Sequence, residues 1–153
     1  MTAMDERSGG AYAWREAPAG PAEAAARMAA APLPAAIVEV AEVLHRAGYE
    51  VVVVGGAVRD FLIGRDHGDW DLASAATPEE VMRLFPKTIP TGLEHGTVTV
   101  ICGRGKERVT TEITTFRGEG AYSDGRRPSE VRFLRALVDD LARRDFTINA
   151  MAW

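Results

Sequence analysis

The chain has 153 residues, 46% of them hydrophobic, enough for one domain with a sizeable core. Its 18 Lys and Arg stand against 22 Asp and Glu, a formal charge of -4, which with a pI of 5.4 excludes a protein that coats nucleic acid through bulk positive charge. A single cysteine, Cys102, excludes an internal disulfide and a thiolate zinc cluster, so a reducing, cytoplasmic setting fits.

The charge is uneven. Residues 1–100 carry 8 basic and 14 acidic side chains, whereas residues 101–153 carry 10 and 8, so any contact with a polyanion is local and late in the chain. Only Lys87 and Lys106 are lysines among the basic residues. Arginine suits planar, bidentate phosphate contacts, and it also follows from a general bias towards Arg and Ala. His45, His67 and His95 show no metal-site spacing. Apolar runs are too short to span a bilayer, and the first residues hold Asp5 and Glu6 where a secretion signal needs a positive start.

In chain order, residues 1–35 read as a flexible leader, rich in Ala, Pro and Gly and too poor in large apolar residues to build a core. A short helix is possible around Ala22–Ala31, though an isolated helix of that length is marginal. Ile37, Val40, Ala41 and Leu44 recur at helical spacing and predict a helix that stops at Gly48. Val51–Val54 predicts a buried strand, broken by Gly55-Gly56. Ala57–Ile63 then reads as a short helix and Asp69–Ala73 as a second strand. Thr77-Pro78-Glu79-Glu80 predicts a helix start with a Thr cap, Pro at the first position and Glu at the capping-box position, the helix ending before Pro86. Thr97–Cys102 and Arg108–Phe116 alternate as two strands of a hairpin turning through Gly103–Gly105. Asp124-Gly125 and Pro128 mark a loop, Val131–Leu134 reads as another strand, and the chain from Leu137 to its end reads as mostly helical. The order α-β-α-β-α-β-β-β-α predicts an α/β (α+β) fold, a mixed sheet flanked by helices.

Four constellations carry chemistry. Gly55-Gly56 between a strand and a helix lets a phosphate approach the backbone, with Arg59 adding positive charge; two glycines alone equally describe a tight turn. In Asp69-Trp70-Asp71, carboxylates two apart on a strand face one way, roughly 7 Å apart, and repel by about 2 kcal/mol at an effective dielectric near 20. Such a pair calls for a counter-ion, and hard oxygen ligands select Mg²⁺; two solvated acids on an edge strand fit the same spacing. Glu112, on the opposite side from Ile113, faces out of the core and is placed to complete a three-carboxylate cluster, or is simply solvated. Arg143-Arg144-Asp145-Phe146-Thr147-Ile148-Asn149 alternates groups able to grip ribose and phosphate with apolar ones, as a solvated amphipathic helix also would.

Taken together, Gly55-Gly56-Ala57-Val58-Arg59-Asp60, Asp69-Trp70-Asp71-Leu72-Ala73, His95-Gly96-Thr97-Val98-Thr99 and Arg143-Arg144-Asp145-Phe146-Thr147-Ile148-Asn149-Ala150 resemble, in that order, the head domain of the bacterial CCA-adding tRNA nucleotidyltransferase and poly(A) polymerase family within the polymerase β superfamily. Glu112-Ile113-Thr114-Thr115-Phe116-Arg117 and Arg126-Arg127-Pro128 fit as well. The resemblance covers residues 36–153 and implies a nucleotidyltransferase fold. It implies that Asp69 and Asp71 hold Mg²⁺ and that Glu112 is the third catalytic carboxylate. It also implies that Gly55, Gly56 and Arg59 meet the triphosphate, that Arg144 binds the nucleotide, and that Asp145 and Asn149 shape its ribose and base side. His95-Gly96 supports the site structurally.

The activity implied is two-metal transfer of CMP and AMP from CTP and ATP to a tRNA 3′-hydroxyl, with release of pyrophosphate. The family's neck, body and tail, which select the base and bind tRNA, lie beyond these motifs, and the apolar end Ala150-Met151-Ala152-Trp153 is expected to mark a head domain truncated before the neck. The rival readings are a poly(A) polymerase using ATP only and a catalytically silent nucleotide-binding fragment.

Overall fold

A computed structural model describes residues 17–65, 69–118, 132–133 and 136–153. Helix α1 (Pro21–Ala29) starts on a proline, carries Glu23 in its first turn and Arg27 in its last, and so complements its own dipole. It lies within the stretch that composition marks as a leader, yet Met28 is only 3% exposed and belongs to the main core. Arg27 Nη1 also donates to the Leu62 carbonyl at 3.0 Å. One large apolar side chain and one long-range hydrogen bond therefore tie α1 to the body, a contribution that an average over Ala and Pro conceals. Helix α2 (Ala35–Arg46) buries Ile37, Val40 and Leu44, the face predicted from their spacing.

The sheet has five strands: β1 (Val51–Val53), β2 (Leu72–Ser74), β3 (Thr88–Gly92), β4 (Thr97–Cys102) and β5 (Val109–Thr115), in spatial order β1-β2-β5-β4-β3. β2 runs parallel to β5 and the other neighbours are antiparallel. The predicted hairpin forms as β4 and β5, in register from Thr97↔Thr114 to Cys102↔Val109. Val98, Val100 and Ile113 point into the core at 0–1% exposure; Glu112 on the other face is exposed. Between β1 and β2 lies α3 (Gly56–Leu62), and between β2 and β3 lies α4 (Pro78–Leu84). The α4 start is the predicted capping box: Glu80 N donates to Thr77 Oγ1 at 3.4 Å and Thr77 N donates to Glu80 Oε2 at 2.8 Å.

Three readings differ. β3 was not predicted because Pro90 and Gly92 interrupt it, but it is an edge strand, where a missing N–H is tolerated. The second strand begins at Leu72, after the two aspartates rather than on them. The chain after Leu137 is not one helix: α5 (Leu137–Ala142) is followed by a single 3-10 turn at Thr147–Asn149, and the end is extended. Val53 and Trp153 exchange two backbone hydrogen bonds, 2.7 and 2.8 Å, and Gly55 N donates to Met151 O at 2.9 Å. The free edge of β1 thus takes the backbone groups that helical periodicity assigns to an internal ladder. Of the Val131–Leu134 strand, Arg132–Phe133 pairs with Arg117–Gly118. The Asp124-Gly125 and Pro128 loop and residues 1–16 lie outside the described residues. Among the described residues no helix is long and apolar enough to cross a membrane.

Candidate active site

The parallel register of β2 and β5 builds the acidic part of the site. Leu72 pairs with Ile113, both 1% exposed in the core, so the residues just before them, Asp71 and Glu112, stand side by side on the opposite, open face. Trp70 is buried between exposed Asp69 and Asp71, its carbonyl accepting from Thr111 Oγ1 at 2.7 Å and its ring tilted against Phe61 at 6.3 Å between centroids. That anchor keeps the strand-like alternation of the two acids although regular pairing starts only at Leu72. Val54 N donates to the Asp71 carbonyl at 3.0 Å, which brings the end of β1, and hence Gly55-Gly56, against the acids.

Gly55 has φ +75°, a left-handed conformation that glycine adopts without strain. A side chain there would stand 3.5 Å from Arg144 Nη1, and one on Gly56 would stand 3.4 Å from Arg59 Nη2. Both guanidinium groups therefore lie over the glycine turn. Arg59 is braced by Asp60, through Nε at 2.8 Å and Nη2 at 3.1 Å, and donates through Nη1 to Asn149 Oδ1 at 2.6 Å. Arg144 Nη1 reaches the Asn149 carbonyl at 3.4 Å and its Nη2 donates to Asp140 Oδ2 at 3.1 Å.

These groups meet in a cleft of about 670 Å³, a size suited to a small ligand. Its walls include Gly55, Gly56, the carboxylates of Asp71, Glu112 and Asp145, the four arginines Arg59, Arg117, Arg143 and Arg144, and Asn149. Of the sequence-predicted residues only Asp69 does not line it, although its charge is felt there: the Asp71 carboxyl is held above the ordinary range by partial burial first, then by the charges of Glu112 and Asp69, with Arg144 opposing. Among the described residues no three His, Cys, Asp or Glu side chains converge closely enough to form a ready-made metal cage. The expected three-carboxylate cluster is thus an adjacent pair, Asp71 and Glu112, with Asp69 outside the cleft lining. Hard oxygen donors under mutual repulsion suit Mg²⁺, which keeps several waters and is commonly held by one or two carboxylates together with substrate phosphates.

The sequence reading missed Asp140. It is 1% exposed, and burial pushes its carboxyl up, but hydrogen bonds and charge from Arg143 and Arg144 and the Arg117 N–H outweigh this and hold it below the usual carboxylate range. Its position three and four residues before the arginines was the available signal. Arg117 and Arg143, quoted only as parts of motifs, also prove to be cleft residues. Two buried donors, Arg117 Nε and Arg144 Nε, have no partner. Unsatisfied buried N–H groups are rare, and here both belong to cations lining one cleft.

The mixed sheet with flanking helices and a glycine turn set against strand-borne acids is the nucleotidyltransferase fold, as its solved neighbours bear out. The crystal structure of the Bacillus stearothermophilus CCA-adding enzyme in complex with CTP superposes with a TM-score of 0.67 at 44% identity, covering 80% of this chain and 28% of that one. A tRNA nucleotidyltransferase complexed with a primer tRNA and an incoming ATP analog gives 0.50 at 32% identity over 74% of this chain and 30% of that one. Residues 51–153 match the Poly A polymerase head domain, and the chain belongs to that family. The CCA-adding enzyme of Geobacillus kaustophilus is 60% identical over 109 residues, 71% of this chain and 26% of the relative. The chain spans about a quarter of the length of the curated relatives it matches.

Proposed function

We propose that residues 36–153 are the catalytic head of a CCA-adding tRNA nucleotidyltransferase, in which the 3′-hydroxyl oxygen of an RNA attacks the α-phosphorus of CTP or ATP and pyrophosphate leaves. The observation that carries this reading is the cleft itself. Two adjacent carboxylates and four arginines line one cavity beside a glycine turn. That is a donor set for a polyanion together with an acceptor set for a cation, as a metal-bound triphosphate requires. The names of the relatives and structural neighbours support CCA addition over synthesis of a poly(A) tract.

In this mechanism Asp71 and Glu112 would hold Mg²⁺, with Asp69 adding negative charge from outside the cleft lining. An ion held there would lower the pKa of the attacking hydroxyl and offset phosphate charge. Gly55 and Gly56 let the triphosphate approach the backbone, while Arg144, Arg117 and Arg143 spread its charge over fixed, planar donors. Arg59, committed to Asp60 and Asn149, orders the floor of the cleft and contributes charge to the triphosphate. Asp145 and Asn149, also on the cleft wall, are assigned the ribose and base side, and the acceptor is a tRNA 3′ end.

Calorimetric titration of the chain with Mg·CTP, Mg·ATP and Mg·GTP tests the reading. Weak binding to all three with little base preference is expected, lost in Asp71→Ala and weakened about tenfold or more in Arg144→Ala. Absence of any binding by the folded chain, or binding indifferent to both substitutions, would refute the assignment of the cleft.

A further inference from the structure

The proposed nucleotide site leaves one buried charge without a task. Asp140 does not line the cleft and is 1% exposed, yet its carboxylate collects four donors. Oδ1 accepts from Arg143 Nε at 3.1 Å, Arg143 Nη2 at 2.8 Å and the Arg117 backbone N–H at 3.2 Å; Oδ2 accepts from Arg144 Nη2 at 3.1 Å. The three residues it holds are three of the four cleft arginines. From the reading of the cleft as a triphosphate site, we infer that Asp140 is its positioning residue, acting on the nucleotide only through Arg144 and Arg143.

The physical case has three parts. Arg144 emerges from the turn after α5 and must reach across to Gly55 and the Asn149 carbonyl; a long side chain left free loses affinity through the rotamers it must give up on binding. Asp140 removes that freedom beforehand by fixing Nη2, one end of a guanidinium that belongs to the cleft wall. Second, Arg117, Arg143 and Arg144 repel one another in one cleft, and the Arg117 guanidinium is held below its usual range by burial and then by Arg143, with Asp140 the opposing charge. A buried anion under the cluster lets three cations stay together while no nucleotide is bound. Third, a carboxylate behind the arginines, rather than beside the ligand, compensates their charge without competing for the phosphate.

The unequal loading of the two oxygens makes the inference testable. In Asp140→Asn the single amide oxygen is held at the Oδ1 place by three donors, and the amide nitrogen then faces Arg144 Nη2, donor against donor. Arg144 alone is released. Calorimetry with Mg·CTP is expected to show binding about tenfold weaker or worse in Asp140→Asn, the range for loss of a charge-assisted hydrogen bond. A comparable loss is expected in Arg144→Met, and the double variant should bind within about twofold of Arg144→Met alone, as residues acting through one another do. The reactivity of Arg144 towards phenylglyoxal, read by peptide mass spectrometry with no nucleotide present, should rise in Asp140→Asn.

Nucleotide affinity unchanged in Asp140→Asn while Arg144→Met weakens it, or full additivity in the double variant, would overturn the inference, as would equal Arg144 reactivity in both forms. If the wild-type chain binds no Mg·CTP, the reading of the cleft falls, and the reactivity measurement alone decides whether Asp140 positions Arg144. If Asp140→Asn does not fold, Asp140→Glu keeps the charge but shifts the oxygens; raised reactivity of Arg144 is expected there, and wild-type affinity with wild-type reactivity overturns the proposal.

Discussion

Replacing Asp71 by Asn should stabilise the free protein. Asp71 and Glu112 occupy neighbouring positions on parallel strands, one residue before the Leu72↔Ile113 pair, where strands lie about 4.8 Å apart. Two charges at about 5 Å repel by roughly 1 kcal/mol in a water-like dielectric and roughly 3 kcal/mol at a dielectric near 20. Both side chains are exposed, so solvent screening favours the lower figure. Removing one charge is worth about 1 kcal/mol, a rise in Tm of about 2–4 °C for a chain of this size. The assay is thermal unfolding in EDTA at pH 7.5 for wild type, Asp71→Asn, Glu112→Gln and the double variant. The double variant should gain less than the sum, because one repulsion is relieved only once. The pH dependence has a definite sign: the folded carboxyl of Asp71 is raised, so its penalty is full above the folded value and vanishes below the unfolded one, near 3.9. The advantage of Asp71→Asn should shrink as pH falls towards 4. In excess Mg²⁺ the order should reverse, since a ligand of the folded state stabilises only the protein that binds it. A lower Tm for Asp71→Asn in EDTA, or strict additivity with Glu112→Gln, would refute the argument that these carboxylates are poised against each other.

Gly55→Ala places a side chain on a backbone of φ +75°, beside Arg144; a loss of about 1–2 kcal/mol of stability in urea unfolding and weaker Mg·CTP binding by calorimetry are expected. Thr77→Ala removes the acceptor of the α4 capping box and should cost about 1 kcal/mol without altering nucleotide binding. Asp140, held below the ordinary carboxylate range, contributes stability that is present above its unfolded value near 3.9 and lost as pH falls through its folded one. Asp140→Asn should therefore flatten the acid limb of the stability profile, measured by denaturant midpoints between pH 2 and 6.

Local chemistry made several elements readable from the residues alone. The Thr77-to-Glu80 box specifies a helix start through contacts three residues apart, and the alternation from Thr97 to Cys102 and from Val109 to Thr115 specifies two strands and which face of each is buried. The same alternation put Glu112 outside the core. The glycine pair, the Asp69–Asp71 spacing and the Arg143–Asn149 segment each signalled a site but left a plain structural explanation standing, because none states which other residues it will meet.

Tertiary structure decided those meetings. Asp71 stands beside Glu112 because β2 and β5, whose partners are 41 residues apart, pair in parallel, a register set by burial of Leu72 and Ile113 rather than by anything within either strand. Met28 entered the core because α3 lay beside it, Pro90 was tolerated because β3 fell on an edge, and the last residues became extended because β1 had an unpaired side. Asp140 differs from its exposed neighbour Asp139 only in the direction it faces on α5. Sequence by itself determined which groups were available, since helix caps, strand alternation and glycine conformations act over a few residues. Their assembly into one cleft, and the charge beneath it, depended on contacts between distant segments whose hydrogen bonds and buried surface no local pattern encodes.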